Sequence, residues 1–475
     1  MRKLFLLFLI VFVFAGALSA QQSAATGENP REFSVGTVLP KVVTIAKPDQ
    51  SYALYLPTSY STKKRFPIIY AFDPGARGKT PVELMKDAAE RYGYIVVGSN
   101  NSRNGSWKIE AEAAQAILKD TENRFPIDGS RVYFAGFSGG ARVAVRIAQL
   151  CKCAAGVLLN GAGFEPEASA VHDTPFAVFA GIGTYDFNYS EMVRMDDGLE
   201  KLSADHFLRR FDGPHQWAPA SVMEDALLWF RLQAMKKGSE SRDDSLIAAA
   251  SSKASERARS FEQSGDLYAA WKEYRQAAET FAGLTDIASL RSRAEALEKD
   301  KAVHEGAKRE KQEFEEQDLL THEISAGLAG LREAQVNRGE IRTDTGQKIA
   351  DLRNRAEHEK REARLRILKR ALTGVFVQAM ELGFDRLEQK DSSRAREYFE
   401  LACEADPDSV WAISNLAVAN ATEGDRKGAL ESLRRAKNKT KDPVQFLAWL
   451  KEEPAFAKLH GTAEFDVLFH TSPLP

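Results

Sequence analysis

Through the first half of the chain, short apolar runs alternate with amphipathic stretches. The runs at 66–72, 94–98, 132–135, 156–159 and 176–180 are nearly continuous in apolar residues, and 206–211, which includes two arginines, is a further short run, the pattern of strands covered on both faces. Between them, 81–92, 110–124, 141–150, 192–202 and 220–236 carry apolar residues at helical spacing. β-Rich segments across 42–55 come first. The alternation predicts βαβ units around a parallel sheet, an α/β domain over residues 34–237. Past Lys237 the strand signals vanish, GSESRDDS reads as a linker, and the remainder is expected to be all-α.

Within that second half, two stretches register at a spacing of 34 residues. Gly383 pairs with Ala417, Lys390-Asp391 with Gly424-Asp425, Ala395 with Ala429, and Ala402 with Ala436. Small residues at these points let paired helices approach closely, and the period resembles that of tetratricopeptide repeats. This places a repeat-like pair at 373–440. Ala258, Gly265-Asp266, Ala270, Tyr274 and Ala277 fit the same template and predict a tetratricopeptide-like hairpin at 250–297. Between them, 298–372 is dense in charges of both signs and reads as a long charged hairpin, broken between Asn337-Arg-Gly339 and Gly346. A helical tail at 441–475 completes the chain. Such helical pairs suit a protein or peptide partner.

The N-terminus departs from both patterns. Met1-Arg2-Lys3 precedes the apolar run LFLLFLIVFVFAGA and the small residues Leu18-Ser19-Ala20. This is the layout of a signal peptide at residues 1–20, cleaved after Ala20, which implies an exported, periplasmic or secreted protein with no later membrane span. The chain of 475 residues is long enough for about three domains. Its 44% hydrophobic and 28% charged residues exclude wholesale disorder and a polytopic membrane protein. A formal net charge of −2 gives no ground for a nucleic-acid partner. Cys151, Cys153 and Cys403 show no metal-ligand spacing and are expected in the core. Nothing calls for a metal or an organic cofactor.

The chemistry concentrates at Gly136-Phe137-Ser138-Gly139-Gly140, between the strand RVYFA and a helix. A G-x-S-x-G in strand–turn–helix context is a nucleophile elbow: the sharp turn lifts the serine hydroxyl above the sheet, at a helix N-terminus that favours negative charge. A serine needs a base and an orienting acid. After the run 176–180, GIGTYD puts Asp186 in the acid position. After the run 206–211, DGPHQW puts His215 in the base position. His206, inside a strand, and His172, before one, are weaker candidates for the base, as are Asp196, Asp197 and Asp212 for the acid. An oxyanion hole requires two N–H donors: Gly139, and either Gly75 or Ala76 from the loop Asp73-Pro74-Gly75-Ala76, since Pro74 has none. Phe137, Trp107, Tyr185 and Trp217 are candidates for a substrate pocket.

On RVYFAGFSGGARVA, GIGTYDF, GPHQW and RYGYIVVGSNNSRNG, residues 34–237 resemble the α/β-hydrolase superfamily. They are most similar to its feruloyl esterase and polyhydroxybutyrate depolymerase-like esterases and to dienelactone hydrolase-like proteins. The resemblance implies hydrolysis of a small-molecule carboxylic ester through an acyl-serine, with His215 as base then acid and Asp186 holding its tautomer. One departure stands out: the family's oxyanion loop usually begins His-Gly, and here it reads Asp73-Pro74-Gly75. Two function classes follow. One is an exported serine esterase with a helical interaction module. The other is a catalytically silent hydrolase fold acting as a scaffold through its helices.

Overall fold

The computed structural model describes residues 33–164, 174–334 and 336–469. The expected signal segment lies outside the described residues, as does His172.

Eight strands form one sheet in the order β1-β2-β4-β3-β5-β6-β7-β8. They are β1 (Val38–Val43), β2 (Ser51–Tyr55), β3 (Phe66–Phe72), β4 (Ile95–Ser99), β5 (Ile127–Phe137), β6 (Gly156–Asn160), β7 (Ala177–Gly183) and β8 (His206–Phe211). β2 pairs antiparallel with both β1 and β4, and the pairings among β3 to β8 are all parallel. The strand-forming runs are those of the sequence pattern, because β3, β4, β6 and β7 are buried at every position and must be apolar throughout. Helices α1 (Lys79–Tyr92) and α5 (Ala220–Lys236) cover one face, while α2 (Trp107–Arg124), α3 (Gly139–Cys151) and α4 (Tyr189–Lys201) cover the other. The expected α/β domain with a mostly parallel sheet, followed by an all-α region, is what the chain forms.

The helical half is not a separate body on a linker. Glu240, within GSESRDDS, is held by Arg131 and Arg231 at 3.0 and 2.5 Å, and α6 (Asp244–Gln263) begins at once, followed by α7 (Leu267–Phe281) and α8 (Ala288–Glu298). α7 covers the β8 edge, where Gln276 Nε2 donates to the Leu208 carbonyl at 3.1 Å, satisfying an edge-strand acceptor. α9 (Lys301–Glu333) and α10 (Arg338–His358) form the charged hairpin. The break between them is shorter than the sequence suggests, because Gly346 lies inside α10, buried against Glu404. α11 (Glu362–Glu388) runs through the expected boundary at 372/373. It packs side by side with α12 (Ser392–Ala405), then α13 (Val410–Glu423) and α14 (Arg426–Lys439). Ala395, Ala402, Ala417, Ala429 and Ala436 are all buried there, and Gly383 admits the Phe399 ring. α15 (Pro443–Glu452) begins the tail.

Cys403 is buried as expected. Cys153, however, is exposed, and Cys151 is only half-buried against the core. They form a disulfide at the exposed C-terminal end of α3, where Lys152 adopts a left-handed conformation that turns the chain back on itself.

Candidate active site

β5 ends at Phe137 and α3 starts at Gly139, so Ser138 alone makes the turn, with φ 53° and ψ −125°. That backbone strain persists because the surroundings enforce it. The Ser138 N–H donates to the Asn160 carbonyl at the end of β6, 2.8 Å away. A side chain on Gly136 would collide with the Gly140 backbone. The loop after β7 carries Asp186, fully buried, and the loop after β8 carries His215. Backbone bonds from Thr184 to Phe211 at 2.9 Å and from Tyr185 to Gly213 at 3.0 Å lock these loops together.

Three side chains far apart in sequence thereby meet in one line. Ser138 Oγ lies 2.9 Å from His215 Nε2, and His215 Nδ1 lies 2.9 Å from both Asp186 oxygens. An ionised carboxylate only accepts, so Nδ1 carries the proton and Nε2 accepts from the serine hydroxyl. Asp186 also accepts from the Asn188 N–H at 2.9 Å. The imidazole sits between Phe137 and Phe187, with ring centroids 4.6 and 4.5 Å away. Gly161, at φ +65°, passes so close that a Cβ there would lie 2.9 Å from Asp186 Oδ2 and 3.1 Å from the imidazole. His206 instead faces Asp196 at 3.4 Å, and Asp212 pairs with Thr184 at 3.3 Å.

The oxyanion expectation needs correction at its second donor. Gly139 opens α3, where a backbone N–H has no intrahelical acceptor. The N–H groups of Gly75 and Ala76, by contrast, are engaged by Asp73 itself: Gly75 N–H donates to its Oδ1 at 2.8 Å, and Ala76 N–H to its carbonyl at 3.1 Å. Asp73 is fully buried and also accepts from Trp217 Nε1 at 2.7 Å and from Arg77 at 2.8 and 3.0 Å. The loop closes on its own carboxylate, which explains aspartate at its head. What it offers the site is a support for Asn104, whose N–H donates to the Pro74 carbonyl at 2.9 Å. The Asn104 amide lies against Gly139 and shares the cleft with Ser138. Asn104 is a site residue that sequence reasoning missed, although it stands in the NNSRNG segment.

The cleft above Ser138 has a volume of about 410 Å³. Trp107 lines it as expected. Phe137 and Trp217 are buried behind it instead, and Tyr185 turns away to donate a hydrogen bond to Glu362. Phe187 and Asn188 line it unexpectedly, and so does the helical half through Gly374, Val377, Gln378 and Glu381. With Arg370, these recur at intervals of three and four, so they form one stripe along α11. The same helix grips the acid loop. Arg370 Nε donates to the Thr184 carbonyl at 2.7 Å, and its guanidinium lies 3.8 Å from the Tyr189 ring centre. From α9, Gln317 Nε2 donates to the Phe187 carbonyl at 2.9 Å, and Glu310 accepts from Tyr189 Oη at 2.9 Å. Burial raises the Glu381 carboxyl pKa, with Arg142 and His215 pulling against it.

No known family model matches the chain, and no curated protein matches it in sequence. Similar solved structures include an S-formylglutathione hydrolase from Staphylococcus aureus, at 14% identity over 41% of this chain and 96% of that one, TM-score 0.34. Another is a ferulic acid esterase, at 17% identity over 40% and 95%, TM-score 0.33. An esterase from Pyrobaculum calidifontis aligns at 13% identity over 42% and 85%, TM-score 0.34. These likenesses are distant, and none assigns a substrate.

Proposed function

We propose that the protein is an exported serine hydrolase that cleaves carboxylic esters through an acyl-serine intermediate. The observation that carries this reading is the hydrogen-bonded line from Ser138 through His215 to Asp186, at 2.9 Å on each side of the imidazole. His215 Nε2 takes the hydroxyl proton as Ser138 Oγ attacks the ester carbonyl, and buried Asp186 stabilises the resulting imidazolium. The tetrahedral oxyanion is met by the Gly139 N–H and the Asn104 side-chain amide. Collapse breaks the C–O bond to the alcohol, which leaves with the proton from Nε2. Water then attacks the acyl-serine, giving its proton to His215, and the acid departs as Ser138 regains its hydrogen.

Export is supported by the basic start and apolar run at residues 1–20, and the Cys151–Cys153 disulfide suits an oxidising compartment. For the tetratricopeptide-like pairs of 373–440, a protein or peptide partner is the matching role. The competing reading, a silent scaffold, draws on the engagement of the Gly75 and Ala76 N–H groups within their own loop. A fluorophosphonate probe and short p-nitrophenyl esters decide between them. Labelling and turnover that disappear in Ser138→Ala are expected. A wild-type protein that neither labels nor turns over, or activity that survives in the variant, would refute the triad.

A further inference from the structure

Hydrogen bonds hold both nitrogens of His215 in the resting site, but one of them is lost during the reaction. Once Ser138 Oγ is acylated it carries no proton to give to Nε2, and Asp186 at Nδ1 is the polar tether that remains. The imidazole must then aim Nε2 at a water molecule. The outer torsion of a histidine side chain is broad, so that aim depends on what packs against the ring. Phe137 and Phe187 do so, at interplanar angles of 41° and 48°. Phe137 is fixed from within the α/β domain: it is buried and packs on Trp217, ring centroids 5.8 Å apart. Phe187, half-buried at the cleft, is held from the helical half. Gln317 of α9 binds its carbonyl, and α11 passes so close that a Cβ on Gly374 would lie 3.5 Å from Phe187 Cβ.

We propose that Phe187 is a positioning residue for the base, needed most while the acyl-serine is hydrolysed. The inference rests on the serine-hydrolase reading above, and it gives the helical half a part in the second chemical step. In that step the water oxygen bonds to the acyl carbon as its proton passes to Nε2. The proton then goes to Ser138 Oγ as the bond from Oγ to the acyl carbon breaks. A tilted imidazole serves neither transfer. Acylation is less sensitive, because the Ser138 hydroxyl itself aligns Nε2 before attack.

Hydrolysis of p-nitrophenyl acetate tests the proposal. Stopped-flow release of p-nitrophenolate gives the acylation rate. The acetylated fraction of acid-quenched protein, read by intact mass, gives the ratio of acylation to deacylation. In Phe187→Ala deacylation is expected to slow by about tenfold or more, part of the ~100-fold cost of a misplacement of about 1 Å, with acylation changed less than about threefold. Acetyl-enzyme therefore accumulates. Phe187→Leu, which keeps apolar bulk beside the imidazole, should recover part of the loss. Misfolding lowers the fraction that reacts with fluorophosphonate but not the ratio in the remainder, and Phe187→Leu carries the test if the alanine variant does not fold. An unchanged ratio in these variants, whether both rates fall equally or neither falls, overturns the proposal while leaving the labelled hydrolase intact. A wild-type protein that neither labels nor turns over the ester refutes the hydrolase reading, and the positioning role with it.

Discussion

Arg370→Met tests whether the helical half holds the acid loop in its working position. Arg370 is 2% exposed and joins α11 to the loop that bears Asp186 and Phe187. Methionine fills the space of the stem but removes two interactions. A hydrogen bond from a charged donor to the Thr184 carbonyl is worth about 1.5–3 kcal/mol. The guanidinium on the Tyr189 ring adds about 1–2 kcal/mol where water is excluded. The pair with Glu313, at 3.5 Å, is longer and contributes less. The loss should therefore be about 3–4 kcal/mol, lowering Tm by roughly 5–10 °C for a domain of this size. Because the tether ends two residues before Asp186, part of that loss appears as looser placement of the acid. Displacement on the order of 1 Å lowers kcat by about 100-fold, with KM little changed. The control is Arg386→Met. Arg386 lies on the same helix, is 7% exposed, and bonds only within the helical half, to Gln389 and to the Arg332 carbonyl. Thermal melts with kcat and KM on p-nitrophenyl acetate read out both variants. Arg370→Lys, which keeps the charge without the planar fork, should recover part of the rate. Unchanged kcat in Arg370→Met, or an equal loss in Arg386→Met, would refute the positioning role. Deleting the helical half is a poorer experiment, because it also bares Tyr189 and the buried charges around it.

Asn104→Ala should lower kcat by about 100-fold with KM nearly constant, the signature of a donor used only in the transition state; steady-state kinetics check it. The interface between α4, α7 and α9 predicts a pH dependence of stability. Burial alone would raise the Glu310 pKa, but Lys272, Arg210 and the hydroxyls of Tyr268 and Tyr189 more than offset it and hold the carboxyl at about 2. Lys272 also moves down, to about 8, because burial and Arg210 outweigh the attraction of Glu310; Arg210 is thus the partner that keeps its full charge. With its folded pKa depressed, Glu310 contributes stability that is complete above its unfolded value of 4.5 and lost as pH falls towards 2. Urea melts should show Glu310→Gln removing at most about 3 kcal/mol of that acid-side slope. A slope unchanged by the substitution would count against the network.

The strands, the elbow and the order Ser138, Asp186, His215 were legible because each depends on neighbours in sequence. A strand buried on both faces must be apolar along its length, and the elbow needs glycine within two residues of the serine. What stayed hidden depends on contacts across the chain. Asp73 looks like a turn residue until Trp217, 144 positions away, is seen to donate to it; only then is it clear why the loop cannot offer Gly75 N–H to a substrate. The Cys151–Cys153 bridge escapes the sequence pattern for the opposite reason: one residue separates the cysteines, but the pattern of apolar residues says nothing of the turn at Lys152 that brings them together.

The α11 stripe is the most instructive omission. Read alone, 362–388 is an amphipathic helix whose second half fits a repeat template, so Arg370, Gln378 and Glu381 count as its solvated face. In the folded chain the acid loop covers Arg370, which is more buried than most apolar residues of the helix, while Gln378 is half-buried at the cleft and Glu381 stays exposed. A charged side chain in such a place needs acceptors and counter-charge; for Arg370, Nε finds a main-chain carbonyl of the α/β domain and Nη1 faces Glu313 at 3.5 Å. The helical half is therefore bound to the α/β domain at the loop that holds Asp186. A solenoid that served only recruitment would have no physical need for a buried arginine there, and one that shapes the site does.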